Sequence, residues 1–188
     1  MSYGGTQTSG IIIPNTVTVI EREVFSYLGL TSITLPTNLE TLGNSALRNN
    51  NLTSITLPST LKTLDNLVFS DNQLTSITLP TNLERIGSST FQNNSLSGHL
   101  IIPDKVTNIG MSAFQGNNLT KITVGTGATI ISQNAFRKAS NSNSGLTNIV
   151  NRTVMSFNWS YIVNGTSGTS FRTGTITNAA GNVSVTAS

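Results

Sequence analysis

The sequence predicts a solenoid, a fold in which similar turns of chain stack around one continuous apolar core. All five prolines recur at one spacing, because Pro14, Pro36, Pro58, Pro80 and Pro103 lie 22, 22, 22 and 23 residues apart. The phrase LTSITLP recurs as well and ends at the second, third and fourth of these prolines. An internal period of this length is typical of stacked repeats rather than of a single globular core.

A short strand precedes each proline, and apolar residues recur along it with a fixed spacing. In the second turn they are Leu30, Ile33 and Leu35, and the pattern returns in later turns as far as Leu146 and Ile149. Successive side chains of a strand point to opposite faces, so the apolar set faces inward and the residues between it face outward. The outward residues form the binding face that we predict: Ser32, Thr34, Ser54, Thr56, Ser76, Thr78, His99, Ile101, Lys121 and Thr123.

Two further apolar groups complete each turn after the proline. Five of the seven phenylalanines fall in one column of the last group, at Phe25, Phe69, Phe91, Phe114 and Phe136. Each turn therefore sends about six apolar side chains inward from around its perimeter. Turns stacked at the strand spacing of ~4.8 Å would bury this column, and residues 11–150 supply about six turns of 22–23 residues.

Two polar columns punctuate the repeat. Gly43, Gly87 and Gly110 share one position with Asp65, and because Gly permits and Asp tolerates a positive φ angle, we interpret this column as a left-handed corner. A second column holds asparagines, whose stacked amides we expect to bond to one another and to the corner backbone. The alternative is an exposed ladder of amides that binds sugar. The asparagines are Asn50, Asn72, Asn94 and Asn117.

Composition excludes several classes of function. Hydrophobic residues make up 36% and charged residues 9% of the chain, with no cysteine and a net charge of +3. No apolar run approaches the length of a transmembrane span, so we predict no membrane insertion. The last acidic residue is Asp104, and six basic residues follow it without forming a run, so we predict no nucleic-acid partner. These are Lys105, Lys121, Arg137, Lys138, Arg152 and Arg172. The alternative is that this basic half attracts an anionic polymer, such as an acidic glycan or a wall polymer.

The residues of catalytic and metal sites do not cluster in this sequence. His99 is the only histidine, and without cysteines or grouped carboxylates it makes a poor metal ligand set and a poor catalytic base. The seven acidic residues are scattered, and the sequence has no glycine-rich phosphate loop. We therefore predict a protein that is not an enzyme and that uses no cofactor or metal.

The columns resemble the leucine-rich repeats of BspA-like bacterial surface proteins. That pattern runs I-x-x-I-x-I-P and then V-x-x-I-G-x-x-A-F, and it reads here as Ile109-Gly-Met-Ser-Ala-Phe114 and Leu42-Gly-Asn-Ser-Ala-Leu47. The turns are one residue shorter than the common form, and Asn stands where cysteine often follows. The resemblance covers roughly residues 11–150. It implies a right-handed leucine-rich repeat solenoid with short β-strands and little helix, located outside a bacterial cell.

The segments that flank the repeat receive separate predictions. Residues 1–10 are predicted to be either disordered or an N-terminal lead-in, and they lack the features of a secretory signal. We expect the chain to be a mature or excised piece of a larger protein. The insertion Lys138–Gly145 is expected to bulge out of the last turn. Residues 151–188 are predicted to cap the solenoid with Trp159 and two short strands, near Ser170–Ile176 and Asn182–Thr186. Trp159 could alternatively form a platform for a ligand.

Three functions remain compatible with this sequence. The first is recognition or adhesion at a cell surface, in which the strand-lined face binds a protein or a surface glycan, with His99, Ile101, Lys121 and Thr123 as its most irregular patch. The second is a structural spacer within a larger surface protein. The third is ice binding through the even rows of Ser and Thr hydroxyls.

Overall fold

The computed structural model describes residues 9–137, 148–151, 174–178 and 181–185. Thirteen short strands are assigned in this part of the chain, and no helix. Nearly all strand pairs are parallel and join one turn to the next, which is the arrangement of a solenoid. The strands are β1 Ile11–Ile12, β2 Val19–Ile20, β3 Ile33–Thr34, β4 Thr41–Leu42, β5 Thr63–Leu64, β6 Arg85–Ile86, β7 Ser97–Ile101, β8 Asn108–Ile109, β9 Asn118–Val124, β10 Ile130–Ile131, β11 Asn148–Asn151, β12 Gly174–Asn178 and β13 Gly181–Val185.

The strands form the sides of the coil. One side is a continuous six-stranded parallel sheet in the order β10-β8-β6-β5-β4-β2. The side before the prolines holds β1-β3 at one end and β7, β9, β11, β12 and β13 at the other. Residues 54–56 and 76–78 of the two intervening turns lie outside any assigned strand, so this side is less regular than the repeated sequence predicts.

The core is the predicted apolar column. Leu, Ile and Val side chains from each side of the coil are buried, and the four phenylalanines from Phe69 to Phe136 stack in file. Their ring centroids lie 5.3, 5.0 and 5.6 Å apart with interplanar angles of 11–18°. Thr90 occupies an otherwise apolar position, and its hydroxyl donates to the carbonyls of Asp65 and Gly87, which satisfies it inside the core.

Each proline marks a tight turn, as predicted. The backbone N–H three residues after it donates to its carbonyl, for example from Leu39 to Pro36 and from Leu83 to Pro80, at 3.2 and 3.0 Å. Proline cannot donate a ladder hydrogen bond and fixes φ near −65°, so it ends the strand and starts the corner. The repeated corner keeps successive turns in register.

The predicted role of the glycine column is wrong. Gly43, Gly87 and Gly110 are absent from the residues with positive φ. A Cβ at Gly87 or Gly110 would approach the backbone of the preceding turn to 2.5 Å, and one at Gly43 would approach to 3.0 Å. At these three positions glycine allows two backbones to pass close to each other and does not serve a left-handed corner, whereas Asp65 and Ser132 occupy the same column in other turns.

The left-handed positions lie two and six residues further along each turn, and side chains other than glycine occupy most of them. In the first turn they are Glu23 and Tyr27, with φ of 61° and 57°. The conformation recurs because the N–H groups on this side of the coil donate to carbonyls of the following turn, as Glu23 does to Asn44 at 3.0 Å. The two columns are Glu23, Ser45, Leu67, Ser89, Ser112 and Asn134, and Tyr27, Asn49, Asp71, Asn93 and Gly116.

The asparagine column is internal and bonds to the backbone. Asn72 donates to the carbonyls of Leu47 at 3.0 Å and Phe69 at 3.2 Å, and accepts from the N–H of Leu52 at 3.1 Å. The other three asparagines repeat this pattern and are 2–7% exposed, so an external amide ladder for sugar is excluded. Within the described residues these amides bond to backbone atoms and not to one another, so the expected bonds between the amides are not found.

The C-terminal strands extend the side of the coil that precedes the prolines. β11 pairs in parallel with β9 and β12, and β13 returns antiparallel to β12. β12 and β13 lie close to the two short strands expected there, whereas the start of a cap at residue 151 stays a prediction. The lead-in before residue 9, the insertion Lys138–Gly145 and the roles of Trp159 lie outside the described residues.

Candidate binding face

The ten residues predicted for the binding face lie on one outer side of the coil. Eight of them are exposed, while Lys121 and Thr123 are half-buried. The apolar residues between them point inward, with Leu100 and Ile122 almost completely buried. The alternation along the strand therefore places the apolar side chains inside and the residues of the predicted face outside, as expected. The outward residues of successive turns lie beside one another.

The irregular patch is where two longer strands pair. In the register of β7 and β9, His99 lies beside Lys121 and Ile101 beside Thr123. The register shifts between Gly98 and His99, because β9 contains one residue more than β7 at this point. The His99 Nε2 lies 2.8 Å from the Thr123 Oγ1, which ties the two strands together diagonally. The four residues predicted as a patch are thus brought together.

The imidazole of His99 has a pKa below its usual 6.5. Partial burial is the larger cause, because it disfavours the charged ring, and the neighbouring Lys121 ammonium adds repulsion. The ring is therefore neutral near pH 7 and gains its charge only in more acidic solution. Protonation would place a second positive charge beside Lys121 on the patch.

Electrostatics distinguish this patch from the other sides of the coil. Within the described residues the ion pairs lie elsewhere, at Lys62–Glu40, Arg85–Asp65 and Arg48–Asp71, in addition to Arg22–Glu23. Lys121 takes part in none of them. Its charge is available to a partner, and no acidic residue follows Asp104 in the sequence to neutralise it.

Asp71 shows the contrasting arrangement on the side with left-handed residues. Burial tends to raise the pKa of its carboxyl group, but hydrogen bonds from Asn93, Ser70 and Arg48 outweigh this and hold the pKa below 3.8. The Arg48 guanidinium also lies 5.8 Å from the centre of the Tyr27 ring. These charges are satisfied internally, so we assign them a structural role.

Sequence reasoning missed one residue of the face. Ile12 pairs with Thr34 in the β1–β3 register and is 78% exposed, whereas Ile101 is 57% exposed. Both isoleucines stand two residues before a proline, where the three turns between them have threonine. This shared position before a proline could have identified Ile12 as part of the face from the sequence. The two apolar side chains stand four turns apart, about 19 Å at the usual strand spacing.

Other kinds of site are not indicated in the residues that the structure describes. They contain no group of three histidine or acidic side chains able to hold a metal ion. They also include no helix long and apolar enough to cross a membrane.

Comparison with known proteins agrees with this geometry. The family model described as a BspA type leucine rich repeat region of six copies matches residues 2–117 and again residues 68–175. The chain belongs to the BspA-type leucine-rich repeat family. The repeated columns, the strand pairing between turns and the internal asparagines are therefore properties of a leucine-rich repeat solenoid.

Similarity to a solved structure supports the fold. A leucine rich repeat protein of T. pallidum is similar over 81% of this chain and 73% of its own chain, with 20% identity and a TM-score of 0.67. A leucine-rich repeat protein from Bacteroides ovatus aligns with 77% of this chain and 49% of its own, with 22% identity and a TM-score of 0.40. A search of curated proteins finds no match.

Proposed function

We propose that this leucine-rich repeat protein is a non-enzymatic recognition module of a bacterial cell surface. Its strand-lined face would bind a protein or a surface glycan, with the patch around Ile101 at the centre. The supporting observation is the exposure of Ile101, which stands 57% accessible beside the unpaired charge of Lys121 on a face otherwise covered by hydroxyls. An apolar anchor next to a charge is typical of sites at which one partner is selected.

The repeat family supports the coarse part of this proposal. Solenoids create extended surfaces from the small displacement between repeats, and such surfaces suit large partners. An ice-binding face is less favoured, since the bulge at Gly98 and the residues His99 and Ile101 interrupt the rows of hydroxyls.

The test uses the labelled chain as a probe on two arrays, one of purified extracellular and cell-surface proteins and one of glycans. Ile101→Asp combined with Lys121→Glu reverses the chemistry of the patch. The matched control, Ile130→Asp combined with Lys105→Glu, makes the same changes at exposed positions away from the patch; Ile130 is 51% exposed. We expect binding that survives in the control and is lost in the patch variant.

Each other outcome has a definite meaning. Equal binding by both variants would place the site elsewhere on the solenoid. Absence of binding to either array by the unmodified chain would favour the spacer function. Thermal hysteresis in a solution of the unmodified chain would instead favour ice binding, and we expect none.

A further inference from the structure

The first turn of the solenoid, residues 11–30, differs in surface chemistry from every turn that it precedes. Among the described residues, eight large apolar side chains are exposed, and five of them belong to this turn. Their exposed fractions run from 40% at Leu28 to 78% at Ile12. The five are Ile12, Val19, Val24, Tyr27 and Leu28.

At most of these positions the inner turns carry polar residues. Val19 pairs with Thr41 in the sheet register, and the next turn has Thr63 at the same place. Tyr27 stands where the following turns have Asn49, Asp71 and Asn93, and Leu28 stands where they have buried asparagines. The repeat therefore supplies a polar alternative at each of these positions except that of Val24, and the apolar residues there mark a surface that distinguishes this turn.

The backbone of the first turn is also open. In every later turn the carbonyls on the left-handed side accept from the turn before, as Asn44 and Ala46 accept from Glu23 and Phe25 at 3.0 and 2.9 Å. The equivalent carbonyls of the first turn are those of Arg22, Val24 and Ser26. Within the described contacts none of these three accepts a hydrogen bond.

The neighbouring side of the same turn presents open donors. Glu40 and Gly43 donate to the carbonyls of Thr18 and Ile20, and the pattern repeats through the sheet. The equivalent N–H groups of the first turn belong to Thr18 and Glu21, and in the described part of the chain they have no acceptor. The first turn therefore presents backbone N–H donors before the corner at Glu21 and Arg22, and backbone carbonyl acceptors after it.

Leu28 argues against one more repeat of the same kind as the natural occupant. Where the second turn follows the first, the Asn50 Oδ1 accepts from the N–H of Leu30 at 2.9 Å and from that of Leu28 at 3.2 Å. A leading turn of that design would need an asparagine at position 28 to satisfy its own N–H groups. Leucine cannot do so, which favours an apolar partner over an extra repeat in register.

The covered C-terminal turn argues against head-to-tail stacking. Ala135 and Phe136 of the sixth turn are 0% and 4% exposed, although Val24 at the same position in the first turn is 51% exposed. Among the described residues, apolar side chains are therefore exposed in the first turn and buried in the sixth. The first turn of a second copy presents the same exposed apolar side chains and backbone groups, so it is a suitable partner for this surface.

We propose that two copies of this chain associate through their first turns as a two-fold symmetric dimer. An axis through the corner near Glu21 and Arg22 places the donors of one copy over the acceptors of the other, and the reverse holds by symmetry. The pairing satisfies backbone groups that each copy leaves open. It also buries Val19, Val24, Tyr27 and Leu28, which contribute the hydrophobic part of the interface.

The first experiment measures molecular mass against concentration by sedimentation velocity. The variant Val19→Thr, Tyr27→Asn and Leu28→Asn substitutes residues that the following turn carries at these positions, so we expect it to fold. The matched control, Met111→Ser with Ile130→Thr, removes apolar side chains that are 52% and 51% exposed elsewhere. The unmodified chain and the control are expected to form dimers, and the first-turn variant to stay monomeric.

A second experiment reports the geometry. The chain has no cysteine, so Arg22→Cys introduces a single thiol beside the proposed axis, where oxidation should link two copies. Met111→Cys places an exposed thiol at the same position of the fifth turn and should remain unlinked. A monomer at all concentrations, growth beyond dimers, or equal linking of both variants would overturn the proposal. Ile101→Asp with Lys121→Glu should leave the dimer intact, which separates this surface from the binding face.

Discussion

Val24 and Val68 are the same residue type at the same position of their turns, yet Val24 is 51% exposed and Val68 is completely buried. Phe25 and Phe69 differ in the same way, since the first is half-buried and the second has no exposed surface. The backbone pattern is shared, because both turns donate to the turn that follows. In the part of the chain that the structure describes, an inner turn has a neighbouring turn on each side, whereas the first turn has one on one side only.

This contrast shows that burial in a solenoid comes from adjacent repeats rather than from the turn itself. Each turn of this protein supplies apolar side chains around its perimeter, but only a second turn removes them from water. In the first turn, the same sequence pattern therefore leaves apolar side chains exposed that are buried in the inner turns. Substitutions at paired positions of inner and first turns test this directly.

The largest difference is expected at the phenylalanine column. Phe91→Ala should lower the free energy of unfolding by ~3–5 kcal/mol, because it removes a fully buried ring that stacks between Phe69 and Phe114. Phe25→Ala should cost clearly less, since that ring is half-buried. Urea unfolding followed by circular dichroism measures both. Equal losses would mean that the first turn is as well packed as the inner ones.

The second largest difference in the free energy of unfolding is expected at the asparagine column. Asn72→Ala leaves three carbonyls and one N–H inside the core without their side-chain partner. We expect a loss of about 2–4 kcal/mol in the free energy of unfolding, because each buried polar group left unpaired costs ~1–3 kcal/mol. Leu28→Asn, at the same position of the first turn, should change stability by less than ~0.5 kcal/mol. A small effect of Asn72→Ala would show that the amide is replaceable by water.

The glycine column provides a graded test. Gly110→Ala forces a Cβ to 2.5 Å from the backbone of Gly87, and we expect a loss of ~1–3 kcal/mol from this crowding. At Gly43 the closest atoms belong to the first turn and lie at 3.0 Å, so the same substitution should cost less. Thermal unfolding of both variants gives the comparison. The reverse order would indicate that the first turn is held more rigidly than the inner ones.

The smallest effect concerns His99 on the binding face of the inner turns. Its folded pKa lies below 6.5, so the unfolded chain binds more protons between the folded pKa and 6.5. The stability contributed by the neutral ring is complete above this window and is lost as the pH falls through it. We expect a small loss on acidification that His99→Gln removes, because the ring is largely exposed.

Titration of this single histidine by NMR measures the pKa directly. Lys121→Gln removes one of the two causes of the depression and should raise the value without restoring it fully, since burial remains. A pKa at or above 6.5 in the unmodified protein would contradict the geometry of the patch. Lys105→Gln is the control for the loss of one positive charge away from His99.

Much of the fold could be predicted from the sequence because periodicity carries it. The prolines set the register, and the columns that include Leu30, Ile33 and Phe91 identified the core correctly. The binding face followed from the same alternation, and the patch of four residues is assembled by the β7–β9 pairing. Whether that face binds a partner stays a prediction, since a repeated strand shows which side chains point outward and not what they contact.

The failures have a common cause. Gly43, Gly87 and Gly110 were interpreted through the conformational freedom of a single residue, whereas the structure uses them for close approach between two turns. The left-handed positions were missed because residues such as Leu67 show no local preference for them. Hydrogen bonds from these N–H groups to the next turn hold the conformation, and a sequence does not display those bonds.

The sequence by itself determined the period, the apolar columns and the order of the turns, because these depend on which residues recur and at what spacing. Only the tertiary structure decided which backbone groups are satisfied, which glycines separate neighbouring turns and which end of the solenoid is open. Those features arise between turns, where contact with the adjacent repeat fixes burial and hydrogen bonding. For that reason Val24 and Val68, alike in the sequence, belong to a surface and a core.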